Sequence, residues 1–241
     1  MNLKKLRTMI GNSNDIVFFG GAGVSTESGI PDFRSENSGI YDETDKSTYP
    51  PEFILSYSFF KEHTDEFFKF YKSKMIYKDA KPNDAHKALA KLEANGKLKA
   101  VITQNIDGLH QMAGSKNVIE LHGTVHKNFC MDCNKGFDLG YVLESPGTVP
   151  KCDKCGAIVK PDVVLYEEPL DSGSIERAVR HIKEADMLII GGTSLVVYPA
   201  AGMVKYYGGN KLVLVNKSQT PYDSKADLVI HDSLGKVLGS L

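Results

Sequence analysis

The four cysteines of the chain stand in two pairs that have the spacing of a metal site. One pair is Cys130 and Cys133, the other is Cys152 and Cys155, and 18 residues separate the pairs. Two CxxC turns that meet can close a tetrahedron of thiolates around zinc. Since all four ligands are cysteine, no coordination position is left for water or substrate. The sequence therefore predicts one structural Zn²⁺.

Two other readings use the same residues, namely a pair of disulfides and an iron site. Residues 1–7 carry charges with no apolar stretch behind them, so they do not resemble a secretory signal. In a reducing compartment thiols stay free, which favours a metal over cystine. We expect zinc, with iron as the lesser alternative, and a cytoplasmic protein.

A second pattern with chemical meaning is the glycine turn Gly20-Gly21-Ala22-Gly23, followed by Val24, Ser25 and Thr26. A glycine turn between a first strand and a helix lets backbone N–H groups approach a pyrophosphate. Thr26 replaces the third glycine of the dinucleotide fingerprint, and no strand with a terminal acid follows at the expected distance. The turn suggests a nucleotide but does not prove one.

The elements that position these residues alternate along the chain. Helical periodicity with an Asn83 cap and a Gly96 stop predicts one helix, and apolar residues from Ile175 to Ile182 predict another. Short apolar runs predict buried strands at 16–19, 100–103, 118–121, 187–190, 212–215 and 227–230. This alternation predicts an α/β fold with a Rossmann-like parallel sheet.

Two insertions interrupt the alternation and predict a small domain. Residues 36–80 are rich in aromatic side chains and form its helical module, for which we favour a plain core role. Residues 126–159 form its zinc-binding module, to which zinc would contribute about 10–16 kcal/mol of apparent binding free energy. The Rossmann-like domain then comprises residues 1–35, 81–125 and 160–241.

Composition limits the choice of partners. With 29 basic and 30 acidic residues the net charge is near zero, so we expect no direct nucleic-acid binding. The uncharged stretch 187–204 contains Gly191, Gly192 and Pro199, so it predicts a strand, a loop and a helix and not a membrane span. We favour a monomer.

Longer motifs follow in a characteristic order. They are Ser28-Gly29-Ile30-Pro31-Asp32-Phe33-Arg34-Ser35, Thr103-Gln104-Asn105-Ile106-Asp107-Gly108-Leu109-His110, Glu120-Leu121-His122-Gly123, the two cysteine pairs, Lys160-Pro161-Asp162-Val163-Val164, Gly192-Thr193-Ser194 and Asn216. From about residue 10 to the C-terminus this order resembles the sirtuins, NAD-dependent protein deacylases, and specifically their bacterial deacetylases.

The resemblance implies a cofactor and its contacts. NAD would lie between the Rossmann-like domain and the small domain, with Phe33 and Arg34 on a loop that covers it. The other implied cofactor contacts are Ala22, Gly23, Ser25, Thr26, Gln104, Asn105, Ile106, Asp107, His122, Gly192, Thr193, Ser194, Asn216 and Leu234.

The resemblance also implies an activity, the transfer of the acetyl group of acetyl-lysine to ADP-ribose with release of nicotinamide. His122 is the implied general base, and Asn105 and Asp107 the other catalytic residues. In the transfer a ribose hydroxyl must lose a proton, and an imidazole that titrates near neutrality suits that step. We expect His86 to be a structural or surface residue, His110 to have mainly a packing role, and His126 to offer at most a spare zinc ligand.

Acetylated protein substrates are expected to bind as extended peptides. The segments Val163-Val164-Leu165-Tyr166 and Leu195-Val196 could pair with the peptide backbone, unless the first is only another core strand. Sirtuins usually carry Phe-Gly-Glu where this chain has Tyr166-Glu167-Glu168. The added charge leads us to expect a preference for basic flanking residues.

The residues near Tyr71 bear on which acyl group the protein removes. Relatives that remove succinyl groups carry Tyr-x-x-Arg, whereas this chain has Tyr71 with Lys74 three positions later. Lysine lacks the bidentate fork of arginine, so we expect neutral acyl groups, acetyl first. The alternatives are deacylation of other acyl groups, ADP-ribosylation of a protein, and a non-catalytic binding module.

Overall fold

Six parallel strands form the main sheet of the computed structural model, which describes residues 2–32 and 49–241. Their order across the sheet is β3-β2-β1-β7-β8-β9. The strands are β1 Ile16–Gly20, β2 Leu98–Thr103, β3 Val118–Glu120, β7 Met187–Gly191, β8 Leu212–Val215 and β9 Leu228–Ile230. All six predicted strands are confirmed.

The sheet is buried on both faces, as parallel sheets with helical crossovers usually are. Phe18 and Phe19 of the central strand β1 are both fully buried, and they belong to different core clusters on opposite faces. Successive strand side chains point to opposite faces, so a continuous apolar run buries both sides at once. This explains why these strands read as unbroken apolar runs.

The strand order reverses between β1 and β7. From β1 the chain builds β2 and β3 on one side, and it later builds β7, β8 and β9 on the other. Gly20 and Gly191 therefore lie side by side at the carboxyl ends of two neighbouring strands. A reversal of this kind opens a crevice where α/β proteins bind ligands.

The predicted helices are present and begin where polar caps stand. The Asn83 side chain accepts hydrogen bonds from the backbone of Ala85 (2.9 Å) and His86 (3.5 Å), and Gly96 follows the helix at φ +74°. Asp171 caps the helix that carries Ile175 in the same way. The helices are α1 Asn2–Gly11, α2 Pro51–Ile54, α3 Tyr57–Glu62, α4 Thr64–Phe70, α5 Asp84–Ala94, α6 Leu109–Met112, α7 Leu139–Glu144, α8 Ser172–Glu184 and α9 Leu234–Gly239.

The segment directly after the glycine turn is not a regular helix. The chain forms two short 3₁₀ turns there, Ala22–Val24 and Thr26–Ser28, with Gly29 at φ +82° ending the second. The segment after β7 behaves similarly, because a 3₁₀ helix at Ala200–Tyr206 completes the predicted strand, loop and helix. Within the described ranges no helix is long and apolar enough to cross a bilayer.

A smaller antiparallel sheet lies beside the main sheet, in the order β5-β4-β6. Its strands are β4 Gly123–Cys130, β5 Gly136–Phe137 and β6 Val159–Val163. Helices α2 to α4 and the π-helical turn Tyr71–Met75 form an aromatic cluster that packs against it. The expected core role of these aromatic side chains is confirmed, since Phe60, Phe67, Phe68 and Tyr71 are fully buried.

Two histidines form a buried pair under the main sheet. The ring centroids of His86 and His110 lie 4.7 Å apart, and the centroid of the His110 ring lies 6.1 Å from that of the Phe18 ring. Burial lowers the pKa of His86 to about 4 and the pKa of His110 to about 3, although Asp107 favours the charged form of His86. The expected structural role of both histidines is confirmed by this packing.

This pair should make the fold acid-sensitive. The folded state holds both rings neutral, whereas the unfolded chain takes up their protons as pH falls below 6.5. The free energy of unfolding should therefore fall as pH falls from about 6.5 towards the folded pKa values. Urea unfolding of wild type and H110L between pH 7.5 and 5.5 should give a shallower pH slope for the variant. Loss of zinc at low pH should affect wild type and H110L equally. H63N is the control and should keep the wild-type pH slope. Equal slopes for wild type and H110L would contradict the prediction.

Candidate active site

A cleft of about 970 Å³ opens at the carboxyl ends of the main sheet, between the sheet and the small antiparallel sheet with its helices. It brings together every predicted cofactor contact that lies in the described part of the chain. These are Ala22, Gly23, Ser25, Thr26, Gln104, Asn105, Ile106, Asp107, His122, Gly192, Thr193, Ser194, Asn216 and Leu234. Phe33 and Arg34 lie outside the described residues, whereas the neighbouring Asp32 lines the cleft.

The floor of the cleft is a direct contact between two backbone turns. The N–H of Gly23 donates to the carbonyl of Gly192 at 2.8 Å. A Cβ on Gly23 would lie 2.8 Å from the Cα of Gly192, and a Cβ on Gly192 would collide with the backbone N of Val24. Gly192 also has φ +59°, which disfavours any side chain. The predicted approach of this turn to a pyrophosphate therefore cannot use the N–H of Gly23.

A hydrogen-bonded triad lies beside these turns. The Ser25 hydroxyl donates to Asp107 Oδ2 at 2.6 Å and accepts from Asn105 Nδ2 at 3.0 Å. Asp107 Oδ1 accepts from the N–H of Leu109 at 2.9 Å. Because Ser25 is almost fully buried, these bonds fix the directions of the amide and the carboxylate.

Gln104 joins the two halves of the sheet across the crevice. Its backbone N–H donates to the Gly20 carbonyl at 3.0 Å, and its side-chain amide donates to the Thr193 hydroxyl at 3.1 Å. Its own carbonyl lies 3.0 Å from Nδ1 of His122. One residue thus links the ends of β1 and β7 to the histidine.

The bond to Gln104 fixes the tautomer of His122. A carbonyl can only accept, so Nδ1 must carry the proton, and Nε2 of the neutral ring is left with its lone pair. Burial lowers the pKa of His122, and the bond to the Gln104 carbonyl opposes that shift. The ring is therefore neutral at pH 7 and can take a proton on Nε2. This geometry suits a general base.

The far end of the cleft follows β8 and β9. Asn216 comes directly after β8, and its carbonyl lies 3.1 Å from Nδ1 of His231. Leu234 begins α9 and packs against Gly191, where a Cβ would lie 2.7 Å from it. Residues 217–219 and 232–233 also line this end, although no sequence motif singled them out. Their position just after parallel strands was the signal that could have found them.

The wall on the small-domain side was only partly predicted. Val164, Leu165 and Tyr166 line the cleft, whereas Val163 is buried in the aromatic cluster. Residues 74–78 and His126 also line it, and periodicity gave no signal for them. His126 lies at the cleft with Nε2 3.0 Å from the Asp107 carbonyl, and it is not part of the cysteine cluster.

The predicted strand edge at residues 163–166 is largely occupied by internal bonds. The N–H groups of Val164, Leu165 and Tyr166 donate to the His122 carbonyl, to Glu168 Oε2 and to the Leu55 carbonyl, at 3.0, 2.8 and 3.0 Å. A peptide pairing here therefore cannot use these three donors. Across the cleft, Leu195 is buried and Val196 is 49% exposed, and neither lines the cavity, although Tyr198 does and is 72% exposed.

The four cysteines meet at one point of the small sheet. Their sulfur atoms lie within 4.8 Å of one another, with Cys130 and Cys155 at 3.4 Å and Cys133 and Cys152 at 3.7 Å. A disulfide requires about 2.05 Å, so the cysteines are free thiols. A Zn–S bond of about 2.3 Å gives tetrahedral S···S edges of about 3.8 Å, which these distances match. The donor set fits one structural zinc ion.

Comparison with known proteins gives consistent matches. The model of the Sir2 family matches residues 21–199. An NAD-dependent protein deacetylase of Clostridium tetani is 68% identical over 238 residues, which cover 99% of this chain and 96% of the relative. The corresponding deacetylase of Clostridium acetobutylicum is 66% identical, with coverage of 98% and 96%.

Solved structures match over the same length. A Sir2 structure with a deacetylated p53 peptide and 3′-O-acetyl ADP-ribose has a TM-score of 0.90 and 40% identity, and the match covers 99% of this chain and 96% of that one. A Sir2 complex with a p53 peptide and NAD⁺ has a TM-score of 0.85 at 40% identity, with the same coverage.

The cysteine cluster gives a direct prediction about metal content. C133S should reduce bound zinc from about one ion per chain to near zero, because three thiolates leave a coordination position open. The segment 126–159 should then lose its fold, since the metal supplies much of its folding free energy. Elemental analysis and limited proteolysis measure the two effects, with D132N as the matched control. Full zinc content in C133S would contradict the assignment.

Proposed function

The chain belongs to the Sir2 family and is an NAD-dependent protein deacetylase, and we propose that His122 is its general base. One observation carries this proposal: the bond from Nδ1 to the Gln104 carbonyl leaves Nε2 of a neutral imidazole as the proton acceptor in the cleft. NAD, when bound, supplies the ADP-ribose that accepts the acetyl group, with nicotinamide as its leaving group.

With NAD bound, Nε2 of His122 would accept the proton of the ribose hydroxyl that attacks the acyl carbon. The imidazolium would then give this proton to the leaving lysine nitrogen, so that the ring ends the cycle neutral. General-base catalysis of this kind typically contributes about 10²–10⁴ in rate. The Gln104 carbonyl stabilises the charged ring in between, because it accepts from Nδ1 in both protonation states.

Asn105 and Asp107 orient the nicotinamide end. The Ser25 hydroxyl holds both side chains in place, so the amide of Asn105 and the carboxylate of Asp107 need no rearrangement to meet a carboxamide. Ile106, between them, supplies an apolar wall. This role is supported by the buried position of Ser25.

The remaining predicted contacts would hold the rest of the cofactor. Ala22, Gly23 and Thr26 lie at the first turn, and Gly192, Thr193 and Ser194 lie at the turn after β7. Asn216 and Leu234 would hold the adenosine end. For Phe33 and Arg34 the role of a cofactor-covering loop stays a prediction.

The acetylated substrate would enter as an extended peptide between the two walls of the cleft. Tyr166 on one side and Tyr198 on the other line the cleft and are exposed large side chains that a peptide can cover. For Leu195 and Val196, which do not line the cleft, a contact with the peptide stays a prediction. The domain boundaries predicted from the sequence stay a prediction. A cytoplasmic location is supported by the four free thiols, which need a reducing compartment to hold zinc.

The central experiment follows an acetyl-lysine peptide by mass spectrometry with purified protein, with and without NAD. We expect loss of the acetyl mass only with NAD, and a fall in kcat/KM of about 10²–10⁴-fold in H122A. H181A, on the surface helix α8, is the control and should retain activity. An ADP-ribose mass on protein with no change in the peptide would assign the chain to the transferases instead.

The rate should depend on pH through His122. The base must be neutral, and burial lowers its pKa below 6.5. Activity should therefore be constant above pH 6.5 and fall as pH drops through the lowered value. A kcat/KM profile from pH 5 to 8.5, restricted to conditions in which zinc stays bound, measures this. An inflection above 6.5 would contradict the assignment.

Acyl preference follows from the position of Tyr71. Its side chain is fully buried and stacks on Phe67 with the ring centroids 5.7 Å apart, and burial raises the pKa of its hydroxyl. It therefore does not reach into the cleft to hold a second carboxylate, and Lys74 lines the cleft as a point charge. Kinetics with acetyl and succinyl versions of one peptide should favour acetyl by at least about tenfold in kcat/KM, which is ~1.4 kcal/mol. Faster removal of succinyl would overturn this expectation.

A further inference from the structure

Glu167 adopts a backbone conformation that side chains disfavour. Its φ is +76°, in the left-handed region where glycine is the usual residue. It follows the cleft-lining residues 164–166 directly and lines the cleft itself. A bulky side chain persists in such a conformation when surrounding contacts hold it.

The contacts that hold Glu167 come from the helical module. Oε2 accepts from the N–H of Ser58 at 2.9 Å, and Oε1 accepts from the Ser58 hydroxyl at 3.0 Å. Ser58 lies in the first turn of α3, and its hydroxyl is also 3.1 Å from that of Ser56. Both carboxylate oxygens are thus committed to α3.

The bonds of Glu167 continue a backbone connection made by its neighbour. Tyr166 donates to the Leu55 carbonyl and accepts from the N–H of Tyr57, both at 3.0 Å. Segment 55–58 and segment 166–167 therefore run together over four hydrogen bonds. Leu55, Tyr166 and Glu167 line the same wall of the cleft.

We propose that Glu167 is a positioning residue for the peptide substrate. It locks the loop after β6 to helix α3, so that Tyr166 and the helical module present one rigid wall to the peptide. Glycine would accept the backbone conformation without strain, but it would provide no link to α3. This inference rests on the proposed peptide position in the cleft. It also replaces the expectation that the charge of Glu167 selects basic flanking residues, because both its oxygens bind Ser58.

The test compares three variants by steady-state kinetics. E167G should raise the peptide KM roughly tenfold while kcat and the KM for NAD change less than about twofold, since the catalytic groups are untouched. E167Q keeps an acceptor for Ser58 and should stay within about threefold of wild type. N134G is the matched control, because Asn134 also has a positive φ (56°) and lies in the zinc module.

Peptide binding is measured separately from turnover, by fluorescence anisotropy of a labelled acetyl-lysine peptide with each variant. Weaker binding to E167G than to E167Q supports the inference even if His122 proves not to be the general base. An unchanged peptide affinity in E167G overturns it. Equal weakening in E167G and E167Q, confined to basic peptides and abolished by salt, overturns it in favour of charge selection.

Discussion

The contact between the backbones of Gly23 and Gly192 is the constraint on which the cleft depends. It joins the turns after β1 and β7, the two strands between which the sheet order reverses. Neither turn tolerates a side chain at the contact, so the two turns meet directly and their remaining edges form one continuous floor. Ser25 and Gln104 lie next to this floor. Ser25 is hydrogen-bonded to Asn105 and Asp107, and Gln104 is hydrogen-bonded to His122, so these bonds position the three side chains relative to the floor.

The small antiparallel sheet positions the opposite wall of the cleft. Its strand β4 begins at Gly123, directly after His122, and at φ +74° a Cβ there would collide with the Asp162 carbonyl of β6. The N–H of Val164 donates to the His122 carbonyl at 3.0 Å. The same strand β4 ends at Cys130, and β6 begins at Val159, four residues after Cys155. The structural metal site therefore supports the backbone of His122 at one end of this sheet, although the cysteines take no part in the chemistry.

Much of this arrangement could be predicted from residue type and spacing. Buried strands such as β1 and β7 are recognised from their continuous apolar runs, and the two cysteine pairs meet as their spacing predicts. Sequence reasoning failed where tertiary contacts decide the outcome. The turn after β1 was expected to offer its N–H groups to a pyrophosphate, but the N–H of Gly23 is bound by the Gly192 carbonyl of a distant turn. The link between Glu167 and Ser58 joins residues 109 positions apart, so no local pattern could reveal it.

The most direct test of the account is the product balance of a single reaction. Purified protein, NAD and an acetyl-lysine peptide are incubated, and nicotinamide, O-acetyl-ADP-ribose and deacetylated peptide are quantified together. We expect equal amounts of all three, because the acetyl group leaves lysine only by transfer to ADP-ribose. Free acetate formed without consumption of NAD, or NAD consumed while the peptide keeps its acetyl group, would contradict it.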